Sequence, residues 1–209
     1  MNTIISFLDD LIFKGQIPLF RFIRIILSIV PIMALAILFD PNLGGEFAEQ
    51  GWNILFITMI IRPLAETFPR LKILSRFVLL RRQMGIIAGT FILAHGLNPF
   101  IAGFTPVSII LDPKIWDFST ILPWGFLGVL ICILPLLTSN DFSMRLLGKY
   151  WKLVQRLSYL FFIFGGIHIF IGKKDPLILV ELISWAIIWI LAQCKIAIWE
   201  EKKMPQHSQ

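Results

Sequence analysis

Six long apolar runs separated by short polar connections organise this chain of 209 residues. They cover residues 20–39, 52–68, 83–101, 121–138, 154–171 and 176–196. Each approaches or reaches the roughly 20 residues that an α-helix needs to cross about 30 Å of hydrocarbon. The pattern therefore predicts an all-α membrane protein, a bundle of six transmembrane helices.

The remaining residues leave room only for short segments. Apolar positions within residues 1–18 recur at helical spacing, which predicts a short amphipathic helix lying on the membrane surface. Residues 19–197 then form the six-helix domain, and residues 198–209 form a polar cytoplasmic tail. We expect any nucleotide-binding or soluble substrate domain to be another polypeptide.

Composition agrees with a membrane location. The chain is 57% apolar and 15% charged, whereas soluble domains average about 45–50% apolar residues. A net charge of +6 is explained by basic cytoplasmic loops rather than by nucleic-acid binding.

The charges of the loops predict the orientation of the bundle. The first loop is acidic, while the second and fourth are basic; Lys173 and Lys174 in the fifth run mildly against this alternation. The residues concerned are Asp40, Glu46 and Glu49 in the first loop, Arg70, Lys72, Arg76, Arg81 and Arg82 in the second, and Arg145, Lys149 and Lys152 in the fourth. Because basic loops stay in the cytoplasm, we expect both termini there.

Two of the three histidines lie within predicted spans, and His207 lies in the polar tail. His95 follows Arg81 by 14 residues and His168 follows Lys152 by 16, which corresponds to about 21 and 24 Å of helix rise. The two imidazoles therefore reach similar depths in the outer half of the bilayer. They are either the two axial ligands of one haem iron or structural hydrogen-bonding groups between helices.

Glycines accompany both histidines. Gly165 and Gly166 precede His168, and Gly96 follows His95. We interpret Gly165 and Gly166 as haem-packing positions, because residues without bulky side chains allow a flat macrocycle to approach the backbone.

Two stretches resemble a known family. RRQMGIIAGTFILAHG resembles the third span of the ferric-reductase-like transmembrane family, and LLTSNDFSMRLLGKYWKLVQRLSYLFFIFGGIHIF resembles its fourth loop and fifth span. The shared motifs are T-S-N, L-G-x-x-W, R-L-x-Y and a histidine nine residues after the tyrosine. Within the family, the chain looks most like the haem-binding membrane subunits of bacterial methionine sulfoxide reductase systems. The resemblance covers roughly residues 40–172 and implies one haem b, held by His95 and His168, in the bacterial inner membrane.

The chain departs from the family at the inner haem. Relatives with two haems carry a second histidine pair nearer the cytoplasm, and those positions are Arg81 and Gln155 here. Neither is a normal haem ligand, so an inner bis-histidine haem is not expected. The outer haem then leaves about 20 Å of helix rise to the cytoplasmic edge.

Either a second electron carrier fills this distance, or electrons reach the outer haem laterally from the membrane. The resemblance implies a flavin mononucleotide or a quinone, and we take Arg81, Arg82 and Gln155 as its inner site. The alternative interpretation of the arginines is ordinary cytoplasmic loop charge.

Three hypotheses of function follow. In the first, the chain passes electrons from a cytoplasmic flavin reductase or the quinone pool to a periplasmic acceptor, which by resemblance is a molybdenum-containing methionine sulfoxide reductase. In the second, it is a stand-alone oxidoreductase acting on ferric chelates, quinone or superoxide. In the third, it is a haemless structural subunit, to which Gln155 gives some support. No catalytic side-chain constellation is expected in any of them.

Overall fold

The structure, a computed structural model, describes residues 17–38, 40–103 and 106–196. Within these ranges all regular structure is helical, so the all-α prediction is confirmed. The predicted surface helix over residues 1–18 falls outside the described residues except for its last two positions, and the tail 198–209 falls wholly outside them.

Each of the six predicted apolar runs falls on a helix. The α-helices are α1 (Ile17–Ile29), α2 (Gly44–Thr67), α3 (Lys72–Phe77), α4 (Arg81–Ile101), α5 (Leu122–Leu137), α6 (Asp141–Leu147), α7 (Trp151–Lys173) and α8 (Pro176–Gln193). Short 3₁₀ helices occupy Val30–Leu38, Pro41–Leu43, Val78–Leu80, Val107–Leu111, Pro113–Trp116 and Gly148–Tyr150.

Three helical stretches in the described part of the chain are long and apolar enough to cross a membrane: Lys72–Ile101, Asp141–Lys173 and Pro176–Gln193. Two apolar stretches, Phe22–Leu38 and Leu122–Leu137, are shorter. Helix α2 has 24 residues, but it carries Glu46, Glu49, Arg62 and Glu66, which lower its mean hydropathy.

The first predicted span changes its helix type halfway. After Ile29 the chain continues as a 3₁₀ helix from Val30 to Leu38. Pro31, at the start of this stretch, has no backbone N–H and therefore cannot donate the i→i−4 bond that would continue the α-helix.

The core lies where α2, α7 and α8 meet. Trp52 of α2 stacks on Phe162 of α7 with ring centroids 5.0 Å apart, and Trp185 of α8 contacts the same ring at 5.2 Å. Helix α2 also packs along α4, and α5 packs along α7. Outward-facing apolar side chains, such as those of Leu79, Leu137 and Leu177, are largely exposed, as expected for surfaces that contact lipid.

The T-S-N motif ends α5 and begins α6. Asn140 Oδ1 accepts the backbone N–H of Ser143 at 2.7 Å, which makes Asn140 the N-cap of α6. Its Nδ2 donates to the Leu137 carbonyl, also at 2.7 Å. The side chain therefore joins the two helices across the turn.

We expect Asn140→Ala to destabilise the protein by about 1 kcal/mol, because it removes this cap. The measurement is the midpoint of thermal unfolding in detergent, which should fall by about 2–4 °C. Asn140→Asp is the matched variant, since it keeps the acceptor oxygen and should retain most of the stability. Equal losses in the two variants would contradict the capping role.

Candidate functional site

The structure places the rings of His95 of α4 and His168 of α7 beside each other. Their ring centroids are 6.4 Å apart, and the ring planes are inclined at 64°. Both side chains are half-buried. Two residues separated by 73 positions in the chain thus meet at one point of the bundle.

His95 is oriented by the turn that begins α2. Its Nδ1 lies 3.0 Å from the Gly44 carbonyl oxygen. Asn98, one turn further along α4, donates from Nδ2 to the Pro41 carbonyl at 2.8 Å. A Cβ on Gly44 would lie 2.4 Å from Asn98 Nδ2, so a larger residue at position 44 would displace this amide from its bond to Pro41.

His168 is oriented in the same way by the start of α5. Its Nδ1 lies 3.0 Å from the Ile121 carbonyl oxygen. The imidazole rests on the backbone of Gly125, where an added Cβ would lie 2.5 Å from both Cε1 and Nδ1. Each histidine is therefore held by a carbonyl at the N-terminal end of a neighbouring helix.

These contacts determine which ring nitrogens are free. A carbonyl only accepts, so each Nδ1 carries the hydrogen and each Nε2 keeps its lone pair. A histidine that donates its other N–H to a carbonyl is the usual form of a metal ligand. In this tautomer the pair His95 and His168 presents two nitrogen atoms that can bind a metal.

This donor set fits a haem iron. A typical zinc site takes at least three ligands from the protein. Among the described residues, no group of three or more His, Cys, Asp or Glu side chains is placed to hold a metal ion. A haem needs only two axial ligands from the protein. An iron held by both histidines would lie about 2 Å from each ligand nitrogen, and the 6.4 Å between the ring centroids would leave room for it.

Gly165 and Gly166 lie within a continuous helix, α7, and face protein side chains. A Cβ on Gly165 would lie 3.4 Å from Cζ3 of Trp52, and one on Gly166 would lie 2.8 Å from Cδ1 of Leu182. These glycines therefore allow α2 and α8 to approach α7 one turn before His168. Their packing against a macrocycle remains a prediction.

Sequence reasoning missed a bond between Trp52 and Glu181. Trp52 Nε1 donates to Glu181 Oε2 at 2.6 Å, and Trp52 is only 4% exposed. A tryptophan near a span end usually belongs to the interfacial belt, but this one is buried and joins α2 to α8. The signal in the sequence was the acidic side chain within the last apolar run.

The predicted inner site borders a cavity of about 800 Å³. Arg81, Arg82 and Gln155 all line it, so the structure brings these three predicted residues together. The other lining side chains include charged groups, Arg62, Glu66, Lys152 and Arg156, and aromatic groups, Trp151, Tyr159, Phe161 and Trp189. The cavity therefore combines a cationic rim with an aromatic wall.

The two arginines also make bonds to the protein. Arg81 Nε donates to the Thr58 carbonyl at 3.0 Å. Arg82 Nε donates to the Ser139 carbonyl at 2.9 Å, and its Nη1 pairs with Asp141 Oδ1 at 2.6 Å. Because a guanidinium has five N–H donors, these bonds orient each head group and leave further donors for a ligand.

Gln155 belongs to a polar junction at the end of α5. Its Nε2 donates to the Pro135 carbonyl and the Thr138 hydroxyl, both at 3.1 Å. Trp151, one turn earlier on α7, donates from Nε1 to the Thr138 carbonyl at 2.9 Å. The T-S-N and L-G-x-x-W motifs thus meet here, and a histidine at position 155 would lose the amide donor that links them.

The fold and the site define a helical membrane protein with a histidine pair shared between two helices. Comparison with known proteins gives the family. Residues 51–166, more than half of the chain, match the family described as the ferric reductase like transmembrane component. The chain belongs to this family, and the resemblance noted from the motifs is confirmed.

Several curated relatives are haem-binding subunits of protein-methionine-sulfoxide reductase, named MsrQ. The protein from Brucella anthropi is 26% identical over 162 residues, which span 74% of this chain and 70% of that protein. The protein from Agrobacterium fabrum is 29% identical over 145 residues, which span 66% of this chain and 62% of that protein. The protein from Brucella ovis is 26% identical over 164 residues, or 74% of this chain and 70% of that protein. No solved structure is a significant match.

Proposed function

We propose that this chain is the haem b-binding electron-transfer subunit of a membrane oxidoreductase, with His95 and His168 as the axial ligands. The observation that carries the proposal is the histidine pair, with ring centroids 6.4 Å apart and with each Nδ1 3.0 Å from a backbone carbonyl. The relatives named as haem-binding subunits support it. When bound, the haem supplies a one-electron redox centre that no side chain of the chain provides.

The residues around the pair hold the ligands in place. The carbonyls of Gly44 and Ile121 select the tautomer and increase the basicity of each ligand nitrogen. Gly125 allows the His168 ring to lie against α5. Gly165 and Gly166 allow the side chains of Trp52 and Leu182 to pack against α7 beside His168. This packing keeps water away from this part of the bundle.

We further propose a six-span arrangement in the bacterial inner membrane, comprising residues 19–197, with both termini in the cytoplasm. The alternating loop charges support it. The basic groups at the start of α4 and around α6 belong to the cytoplasmic side in this arrangement, and the two histidines lie nearer the periplasm.

Reporter fusions test this topology. Alkaline phosphatase, which is active only in the periplasm, should be active when fused after Asp117 and inactive when fused after Lys149. Green fluorescent protein fused after Gln209 should fluoresce, because it matures in the cytoplasm. Phosphatase activity after Lys149 would contradict the orientation.

The 800 Å³ cavity is the site that we propose for an inner electron carrier, either flavin mononucleotide or a quinone. Its arginines suit a phosphate or a carbonyl oxygen, and its aromatic wall suits a planar ring. The donor would be a cytoplasmic flavin reductase or quinol. The acceptor would be a periplasmic reductase; the names of the relatives, haem-binding subunits of a protein-methionine-sulfoxide reductase, support a reductase as the partner.

The experiment follows the haem absorbance of the purified, haem-loaded protein in nanodiscs. We expect reduction by a flavin reductase with NADH and flavin mononucleotide, or by a quinol, and slower reduction of the Arg81→Gln variant. Reoxidation should require a periplasmic methionine sulfoxide reductase and its substrate. Fast turnover of ferric chelate or superoxide without any partner would instead assign the chain as a stand-alone oxidoreductase.

A further inference from the structure

A second, smaller cavity lies between α1, the start of α4 and the junction of α5 with α6. It has a volume of about 220 Å³, and its polar lining consists of Arg24, Ser28, Arg82, Gln83, Ser139 and Asp141. Apart from Arg82 and Ser139, these residues do not line the 800 Å³ cavity. The proposed electron-transfer function uses Arg82 at the inner carrier site but makes no use of Arg24, Ser28, Gln83 or Asp141.

The lining of the cavity includes a residue with a buried hydrogen-bond acceptor that has no donor. Gln83 is 8% exposed, and its Oε1 has no hydrogen-bond partner among the residues that the structure describes. Buried polar atoms in native proteins are nearly always paired, because leaving one unpaired is costly. Gln83 lines the cavity, and a rotation of its amide would turn Oε1 toward an occupant with an O–H or N–H donor.

The charges select an anionic occupant. Arg24 and Arg82 are the cations of the cavity, and Asp141 is its one anion. The Arg82 guanidinium donates to Asp141 and holds the pKa of that carboxyl below its usual value, so Asp141 is ionised at neutral pH. Two cations against one anion leave a net positive charge, which a group such as a phosphodiester would neutralise.

The surroundings select a lipid rather than a soluble anion. Beside Arg24, helix α1 exposes Phe22, Ile25, Ile26 and Ile29, each with about half of its surface accessible. Acyl chains attached to a headgroup in the cavity would cover this apolar strip. Basic pockets between membrane helices on the cytoplasmic side are a known form of anionic-lipid site.

We propose that this cavity binds the headgroup of an anionic glycerophospholipid of the phosphatidylglycerol type. Its phosphate lies between Arg24 and Arg82, and a headgroup hydroxyl donates to Gln83 Oε1. A zwitterionic lipid is disfavoured, because its ammonium group would lie near the two guanidinium groups and its net charge is zero. This site is independent of the haem proposal.

Binding of short-chain phosphatidylglycerol to the purified full-length chain, measured by native mass spectrometry, tests the site. Arg24→Gln should weaken binding about tenfold, the effect of one charge-assisted contact. Gln83→Leu should also weaken it, although this variant keeps every charge. Lys149→Gln is the matched control, because it removes one nearby cation that lines neither cavity, and it should bind like the wild type.

Two ligand controls identify the source of the phosphate. Phosphatidylcholine with the same acyl chains should bind at least about tenfold more weakly than phosphatidylglycerol to the wild type. Glycerol 3-phosphate should not bind at the same concentrations. Equal binding of the two lipids, equal losses in the Arg24 and Lys149 variants, or tight binding of glycerol 3-phosphate would each overturn the lipid assignment. Haem content should not change in any variant, which separates this test from that of the proposed function.

Discussion

Replacing either membrane histidine is expected to remove the haem without preventing insertion. His95→Ala and His168→Ala proteins should retain less than roughly a tenth of the wild-type haem, since each loses one axial ligand of the iron. Both variants should still insert, because the apolar faces of the helices are unchanged. The measurement is haem per chain after purification, together with helix content by circular dichroism.

The control uses the third histidine, His207, which lies outside the described residues. His207→Ala should keep a full haem complement. If His168→Ala kept it as well, the ligand assignment would be wrong. A loss of helix content in the alanine variants would instead favour the structural hydrogen-bond interpretation of the pair.

The second large effect is expected at Gly125. A Cβ at this position would lie 2.5 Å from two atoms of the His168 ring, so Gly125→Ala must move the imidazole or α5. Such overpacking costs about 1–3 kcal/mol. We expect a lower thermal midpoint and weaker haem retention, because the Nδ1 bond to Ile121 cannot survive the shift.

Gly45→Ala is the matched substitution. A Cβ on Gly45 meets nothing within 4 Å, and the residue lies in the first turn of α2. Alanine there should be neutral or stabilising by about 0.5–1 kcal/mol, as is usual in helices. Similar behaviour of the Gly125 and Gly45 variants would show that His168 is not supported by α5 in this way.

The apolar pattern was enough to predict the helices. Helical spans are determined by local composition, so the six predicted runs and the observed helices coincide to within a few residues except at α2, which begins eight residues before its predicted run. Counting residues along the two helices predicted similar depths for His95 and His168, a step that depends only on the rise of the helix. Which faces of α4 and α7 meet depends on tertiary packing, and the structure places the two rings 6.4 Å apart.

The hydrogen-bond partners of the histidines were not predictable, because they depend on tertiary approach. Nothing in the local sequence pairs His95 with Gly44 or His168 with Ile121. The same holds for Trp52, whose bond to Glu181 crosses 129 positions of the chain. A glycine in the sequence indicates that another helix approaches closely there, but the structure is needed to identify that helix.

Two side chains of the proposed inner site, Arg81 and Gln155, also join helices. Gln155 cannot ligate iron, but its amide joins the ends of α5 and α7 through Pro135 and Thr138. Arg81 likewise donates to the Thr58 carbonyl of α2. At both positions the side chain holds helices together beside the 800 Å³ cavity, which supports our proposal of an organic carrier there.

The central claim is that His95 and His168 hold one haem b. The most direct test is a reduced-minus-oxidised absorbance spectrum of the wild-type protein, purified after expression with ample haem, with the haem quantified per chain. The account predicts a low-spin b-type spectrum and one haem per chain. A colourless protein under these conditions would contradict it and leave the chain as a haemless structural subunit.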